Sequence, residues 1–196
     1  MATKTRTPAR RSRVMDRFAL FSECLLVGVW IAVAALPLFT FPAAFAAGTR
    51  HLRRYLDGEH GGLREFAADT RAAARGGWLV GAAVCAAAAL LRLDLAAVRA
   101  GLPGGPFVGA VGVLAMIGLL VAVLRAASCW APGALWRTLL AEAGRNTVRD
   151  PAGSLLLVCG MAVVVLSGAL VLPLAVPVIG AVAAAATAVR ARGLSH

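Results

Sequence analysis

The chain reads as an all-α protein, a polytopic membrane helix bundle of about five transmembrane helices. Three observations predict it. Sixty per cent of the 196 residues are hydrophobic, only 15% are charged, and the mean hydropathy is +0.81. Ordinary soluble domains are roughly 45–50% apolar and about 25% charged. So few polar residues leave too little to cover the surface of a small water-soluble globule, and the same numbers exclude intrinsic disorder. Finally, the 20 Lys and Arg residues are gathered between apolar blocks, not spread along the chain.

A helix needs about 20 residues to cross a hydrocarbon core of roughly 30 Å. The basic stretch 1–17 reads as a cytoplasmic tail, 18–190 as one membrane domain with blocks at 18–48, 76–95, 106–124, 152–172 and 174–189, and 191–196 as a short tail. Block one begins like a signal peptide and has Ala44-Phe-Ala46 near its end, but its apolar run from Phe18 to Leu36 exceeds the usual 7–15 residues. It therefore reads as a retained helix.

Pro37-Leu-Phe-Thr40-Phe-Pro42 interrupts block one. Proline lacks an N–H and clashes with the preceding turn, so the helix from Phe18 ends near Leu36. A second helix starts at Pro42, a position proline suits, and runs to Arg54 or Tyr55. Thr40 is placed to satisfy carbonyls that the prolines free. Block two carries Gly77, Gly81, Cys85 and Ala89 at four-residue spacing, a ridge that lets backbones approach. Gly101-Leu-Pro-Gly-Gly-Pro106 is a loop before block three. Residues 152–189 hold no charge. As one straight helix they would be nearly twice as long as the hydrocarbon is thick. Two crossings fit better, with Pro173 and Pro177 marking the turn. Gly180, Ala184 and Ala188 form a second ridge of small residues.

The two basic connectors read as amphipathic cytoplasmic helices over 62–78 and 134–149. In the latter, Leu135, Leu139 and Ala143 oppose Arg137, Arg145 and Arg149. Trp78, Trp130 and Trp136 are expected at headgroup level. Asp150-Pro151 reads as a helix start, with Asp150 capping.

The N-terminal tail, segments 48–76 and 125–153, and the C-terminal tail hold 18 of the 20 basic residues. The positive-inside rule places all of these in the cytoplasm. Blocks two and three then form one out-and-back pair, and blocks four and five another. Block one has basic flanks on both sides. Three solutions remain: an outward N-terminus, an inverted bundle, or a block that enters and returns with a re-entrant break at Pro37–Pro42. The third fits best.

The segment Trp30-Ile-Ala-Val-Ala-Ala-Leu-Pro37-Leu-Phe-Thr40-Phe-Pro42-Ala-Ala-Phe-Ala-Ala47 resembles the opening of the YesL-like family of small bacterial integral membrane proteins. The likeness lies in a tryptophan of the first helix, a Leu-Pro step, a threonine and a proline-alanine pair. A glycine-containing basic loop with a phenylalanine follows, here Phe66. The likeness is sharp from Trp30 to Trp78. It implies a multi-pass protein of the bacterial plasma membrane. Members are associated with carbohydrate-uptake genes, which implies an accessory role beside a sugar transporter. It carries over no catalytic residue and no cofactor.

Chemistry-bearing constellations are sparse. His51, His60 and His196 lie outside the apolar blocks, and no H-E-x-x-H, P-loop or GxGxxG stands in the chain. His51 and His60, with Asp57 and Glu59, read as an exposed polar loop. Cys24, Cys85, Cys129 and Cys159 have no ligand spacing and read as membrane-buried side chains. Ionisable groups inside apolar blocks are functional candidates by default. Three qualify: Glu23, expected to pair with Arg17 or a loop arginine, and Arg92 and Asp94, expected near the opposite headgroups. No metal, cofactor or catalytic residue is expected, and nucleic acid is not an expected partner. The expected partners are anionic headgroups and another membrane protein or a second copy of this chain. The function expected is non-enzymatic, an accessory or assembly partner of a transport system. The alternative is a small transporter or channel acting by itself.

Overall fold

A computed structural model describes residues 9–59, 61–101, 104–170 and 172–193, with side chains for all of these except 9–18, 148, 165–178 and 190–193. The chain is all-helical there: α1 (Ala9–Ala34), a 3-10 turn (Leu38–Thr40), α2 (Phe41–Leu56), α3 (Leu63–Arg99), α4 (Gly105–Cys129), α5 (Trp136–Arg149), α6 (Pro151–Leu170) and α7 (Leu172–Gly193). Among the described residues α3 and α4 are long and apolar enough to cross a membrane. A third span is counted if α5 and α6, which meet at 106°, are taken together. The coarse expectation of a helical bundle holds; the count of five crossings goes beyond these lengths.

The chain folds back at the prolines of block one. Pro37 caps the 3-10 turn in an extended conformation, and Pro42 sits buried in the first turn of α2. The Thr40 hydroxyl lies 2.6 Å from the carbonyls of both Ala34 and Pro37, the last of α1 and the first of the break. α2 returns along α1, with Gly48 facing Val27 and Ile31. The turn rests on the middle of α3. A Cβ built on Gly81 would lie 1.8 Å from the Phe39 carbonyl oxygen. Gly81 is the central residue of this 37-residue helix, roughly 27 Å from either end at ~1.5 Å per residue. So the fold-back goes only halfway along its neighbour.

α3 is longer than block two. The helices expected within segment 48–76 are present, with α2 running to Leu56 and, after a short link, α3 starting at Leu63, but the connector helix expected over 62–78 and block two are one continuous helix. The link suits its charges, because Arg50 and Arg54 of α2 reach across to Asp69 of α3. α3 also runs past Arg92 and Asp94 to Arg99, and Gly101, at φ +75°, stops it in a left-handed conformation that glycine alone adopts freely. α4 packs back on it through Gly105 and Gly109 against Val98, and Gly112 against Leu91.

α6 and α7 form the expected hairpin. Gly160 faces Val182 and Gly153 faces Val189, each pair symmetric about residue 171. The turn itself is displaced from the expectation. Helix resumes at Leu172, so Pro173 and Pro177 belong to the first two turns of α7, not to the break. Pro173 is tolerated there because the first four N–H groups of a helix have no intrahelical acceptor; Pro177, the sixth residue of α7, lies past them and costs the helix one hydrogen bond. The side chains of both prolines lie outside the described residues. As expected, Asp150 caps α6, its carboxylate accepting from the Gly153 N–H at 2.9 Å.

The core runs along α2 and its neighbours. Ala43 to Ala47, Leu52, Phe66, Ala73, Val121, Val123 and Leu124 are buried, as are Trp130 and Trp136, 2% and 7% exposed. Those two tryptophans are therefore not headgroup anchors. Trp136 packs on Gly76 and Gly77 and donates its Nε1–H to the Ala73 carbonyl at 2.9 Å. Trp78 is half exposed. The ridge at Gly77 and Gly81 is a contact, while Ala89 further along it is exposed.

Candidate functional site

The pairings between helices gather the basic segments at one end. Glu23 on α1 meets His51 on α2, Arg50 and Arg54 on α2 meet Asp69 on α3, Arg53 meets the loop after α4, and Arg125 on α4 meets Asp150 before α6. At the other end lie the end of α3, the start of α4, and the end of α6 with the start of α7. The Pro37–Thr40 turn stops between the two.

At the basic end, α2 holds Arg50, His51, Arg53 and Arg54 in its last two turns, where cations also suit the helix dipole. They point different ways. Arg50 and Arg54 share the largely buried Asp69, with Arg54 Nη2 at 2.7 Å. Arg53 donates to the carbonyls of Ser128 and Trp130, the latter at 2.9 Å. These are the carbonyls that the end of α4 leaves without helical donors. Arg53 thus caps α4 from another helix. Arg125 donates to the Asp150 carboxylate at 2.9 Å and to the Ser154 hydroxyl at 3.1 Å.

His51 overturns the reading of an exposed loop residue. It is 1% exposed, and its Nε2 lies 2.7 Å from Glu23 Oε1. Trp30 meets the imidazole edge to face at 5.2 Å, and the Trp30 ring also meets Phe66 at 5.4 Å. Trp30 therefore joins two residues far along the chain, His51 and Phe66, in one cluster. The described partner of Glu23 is this histidine, not an arginine. Among the described residues His51 Nδ1 is buried without a hydrogen-bond partner, and Gly61 lies beside it.

The remaining candidates lie apart from this cluster. Arg92 is exposed on the outer half of α3, and Asp94 is half-buried with a carboxylate oxygen near Gly112. No group of three or more metal-ligating side chains occurs among the described residues, and the four cysteines are free thiols. In the polar first turn of α3, Glu65 accepts from the Gly62 N–H at 2.8 Å. That bond holds its carboxyl below the ordinary glutamate range, even though the side chain is fully exposed.

A cavity of about 730 Å³ opens beside the arginines. Arg50, Arg53 and Arg54 line one part of it. Leu20 and Cys24 of α1, Trp130, and Ala184, Thr187 and Ala188 of α7 line the rest. The sequence marked Ala184 and Ala188 as a ridge, and Cys24 as buried, but gave no sign that they enclose a space. The cue was the three arginines within five residues. No protein-family model matches the chain, and no curated protein or solved structure is significantly similar to it.

Proposed function

We propose that this chain is a non-enzymatic, multi-pass membrane protein of the bacterial plasma membrane that serves as an accessory or assembly partner of a transport system. In this reading the basic end faces the cytoplasm, because positive charge is retained there. The α3–α4 pair crosses, α6–α7 crosses and returns, and α1–α2 enters to mid-depth and goes back. One block with two basic flanks is then no contradiction. A non-helical break at membrane depth needs protein around it. The seat of the Phe39 carbonyl on Gly81 supports that condition.

The observation that carries the partner role is the outer face of α3. Ala82, Ala83, Ala86 and Ala89 are exposed between Leu79, Leu90 and Leu93. Small side chains let another helix backbone approach closely, which drives association where lipid supplies no hydrophobic force. The likeness of residues 30–78 to YesL-like proteins supports the same role, with carbohydrate uptake as its setting. The test is a photo-crosslinker placed at Ala86 in native membranes. A discrete adduct with a transporter subunit is expected, and adducts to lipid alone would remove the partner reading. Solute flux through proteoliposomes containing only this protein would replace it with a transporter acting by itself.

A further inference from the structure

The geometry points to a binding site for one anionic phospholipid, with its headgroup on the α2 arginines and an acyl chain between α1 and α7. These two helices pack along each other and come closest at Gly180. A Cβ there would stand 2.0 Å from the Cys24 carbonyl oxygen, so no side chain separates them at that point. One turn further along α7 a cavity lies beside their seam. Ala184 and Ala188 face Leu20 and Cys24 across the open-sided cavity of about 730 Å³. Both alanines are too small to fill it.

The lining has two chemistries. The α1 and α7 walls are apolar, and the α2 wall is cationic. Arg50 and Arg54 hold Asp69 between α2 and α3, and the carboxylate on the cavity itself is the exposed Asp57. Among the described residues three guanidinium groups stand against these two carboxylates, so that wall keeps a positive balance. A phosphate is a strong acceptor for guanidinium groups, which can hold it beside the partners they already have. A bare anion would leave the apolar wall in water, and a neutral hydrocarbon would leave the positive balance of the α2 wall without a counter-charge. A phosphate-headed amphiphile satisfies both.

The site rests on the membrane reading above, and the two fail separately. Retention in the membrane pellet after an alkaline wash tests that reading alone. The site is tested on the full chain in neutral detergent. The probes are dioctanoyl phosphatidylglycerol, dioctanoyl phosphatidylcholine and inorganic phosphate. The expected result is a one-to-one adduct in native mass spectrometry and a raised melting temperature with the phosphatidylglycerol only. Arg50→Gln should weaken that binding about fivefold, the effect of one basic residue on an anionic lipid. Ala184→Phe should abolish the adduct by filling the space, and Ala188→Leu, at the exposed rim, is the second variant should the larger ring prevent folding. Equal binding of phosphatidylcholine overturns the headgroup assignment. An equal shift with inorganic phosphate overturns the acyl arm. Unchanged binding in a folded filling variant overturns the site.

Discussion

Replacing Gly81 by alanine should unseat the 3-10 turn from α3. The added Cβ would stand 1.8 Å from the Phe39 carbonyl oxygen, with the carbonyl carbon at 2.5 Å. Ordinary contact begins at 3.4 Å, so the two backbones must part by about 1.6 Å. The obstructing atoms are backbone at the end of a proline-framed turn and cannot rotate away. Overpacking of this kind costs about 1–3 kcal/mol, and the rigid neighbour argues for the upper figure. Alanine recovers about 1 kcal/mol of helix propensity. The net loss is about 2 kcal/mol, or roughly 4–8 °C in melting temperature for a chain of this size. Gly118→Ala in α4 is the internal control, because a Cβ there meets nothing within 4 Å. It should leave stability unchanged or raise it. Both variants and the parent would be unfolded thermally in the same detergent. Equal stability of the two variants would refute the seating of the turn on α3, and with it the halfway fold-back.

Thr40→Val should cost about 1–3 kcal/mol, since the carbonyls of Ala34 and Pro37 lose their shared donor, while Thr40→Ser should restore most of it; thermal unfolding reads both. Asp150→Ala removes the cap of α6 and a partner of Arg125, so a loss of about 1–2 kcal/mol is expected in the same assay. Glu65 has a folded-state value held below its unfolded one, so its contribution is present above the unfolded value and disappears as pH falls through the folded one. Protection from hydrogen exchange at the first turn of α3, taken relative to the intrinsic rate at each pH, should therefore fall on acidification, and that fall should vanish in Glu65→Gln.

What was legible in the sequence was local. The length of an uncharged run predicts the α6–α7 hairpin, and a proline pair with a hydroxyl between predicts the break and the duty of Thr40. Asp150 followed by proline predicts its own cap. What was missed depends on partners far along the chain. His51 reads as a loop residue because Glu23 lies 28 positions away and Trp30 meets it only after folding. The connector helix over 62–78 reads as separate from block two by its charges, yet Asp69 matches Arg50 and Arg54, so one helix carries both. Trp130 and Trp136 match the pattern of a headgroup belt, but hydropathy cannot distinguish a lipid interface from the glycine-lined face of Gly76 and Gly77. Pro173 and Pro177 read as the turn because prolines break helices, although the first turn of a helix accepts the former and α7 continues through the latter.

The way Arg53 ends α4 also sets an order of events during synthesis. This arginine sits in a helix of 16 residues, and the carbonyl of Trp130 that it serves lies 77 residues further along the chain. When α2 leaves the ribosome, Trp130 has not yet been made. Arg53 therefore meets its acceptors only once α4 has been synthesised, and the docking of α2 on the end of α4 comes late. Ribosome stalling at successive lengths would reveal this as a late step in which the early part of the chain becomes resistant to protease.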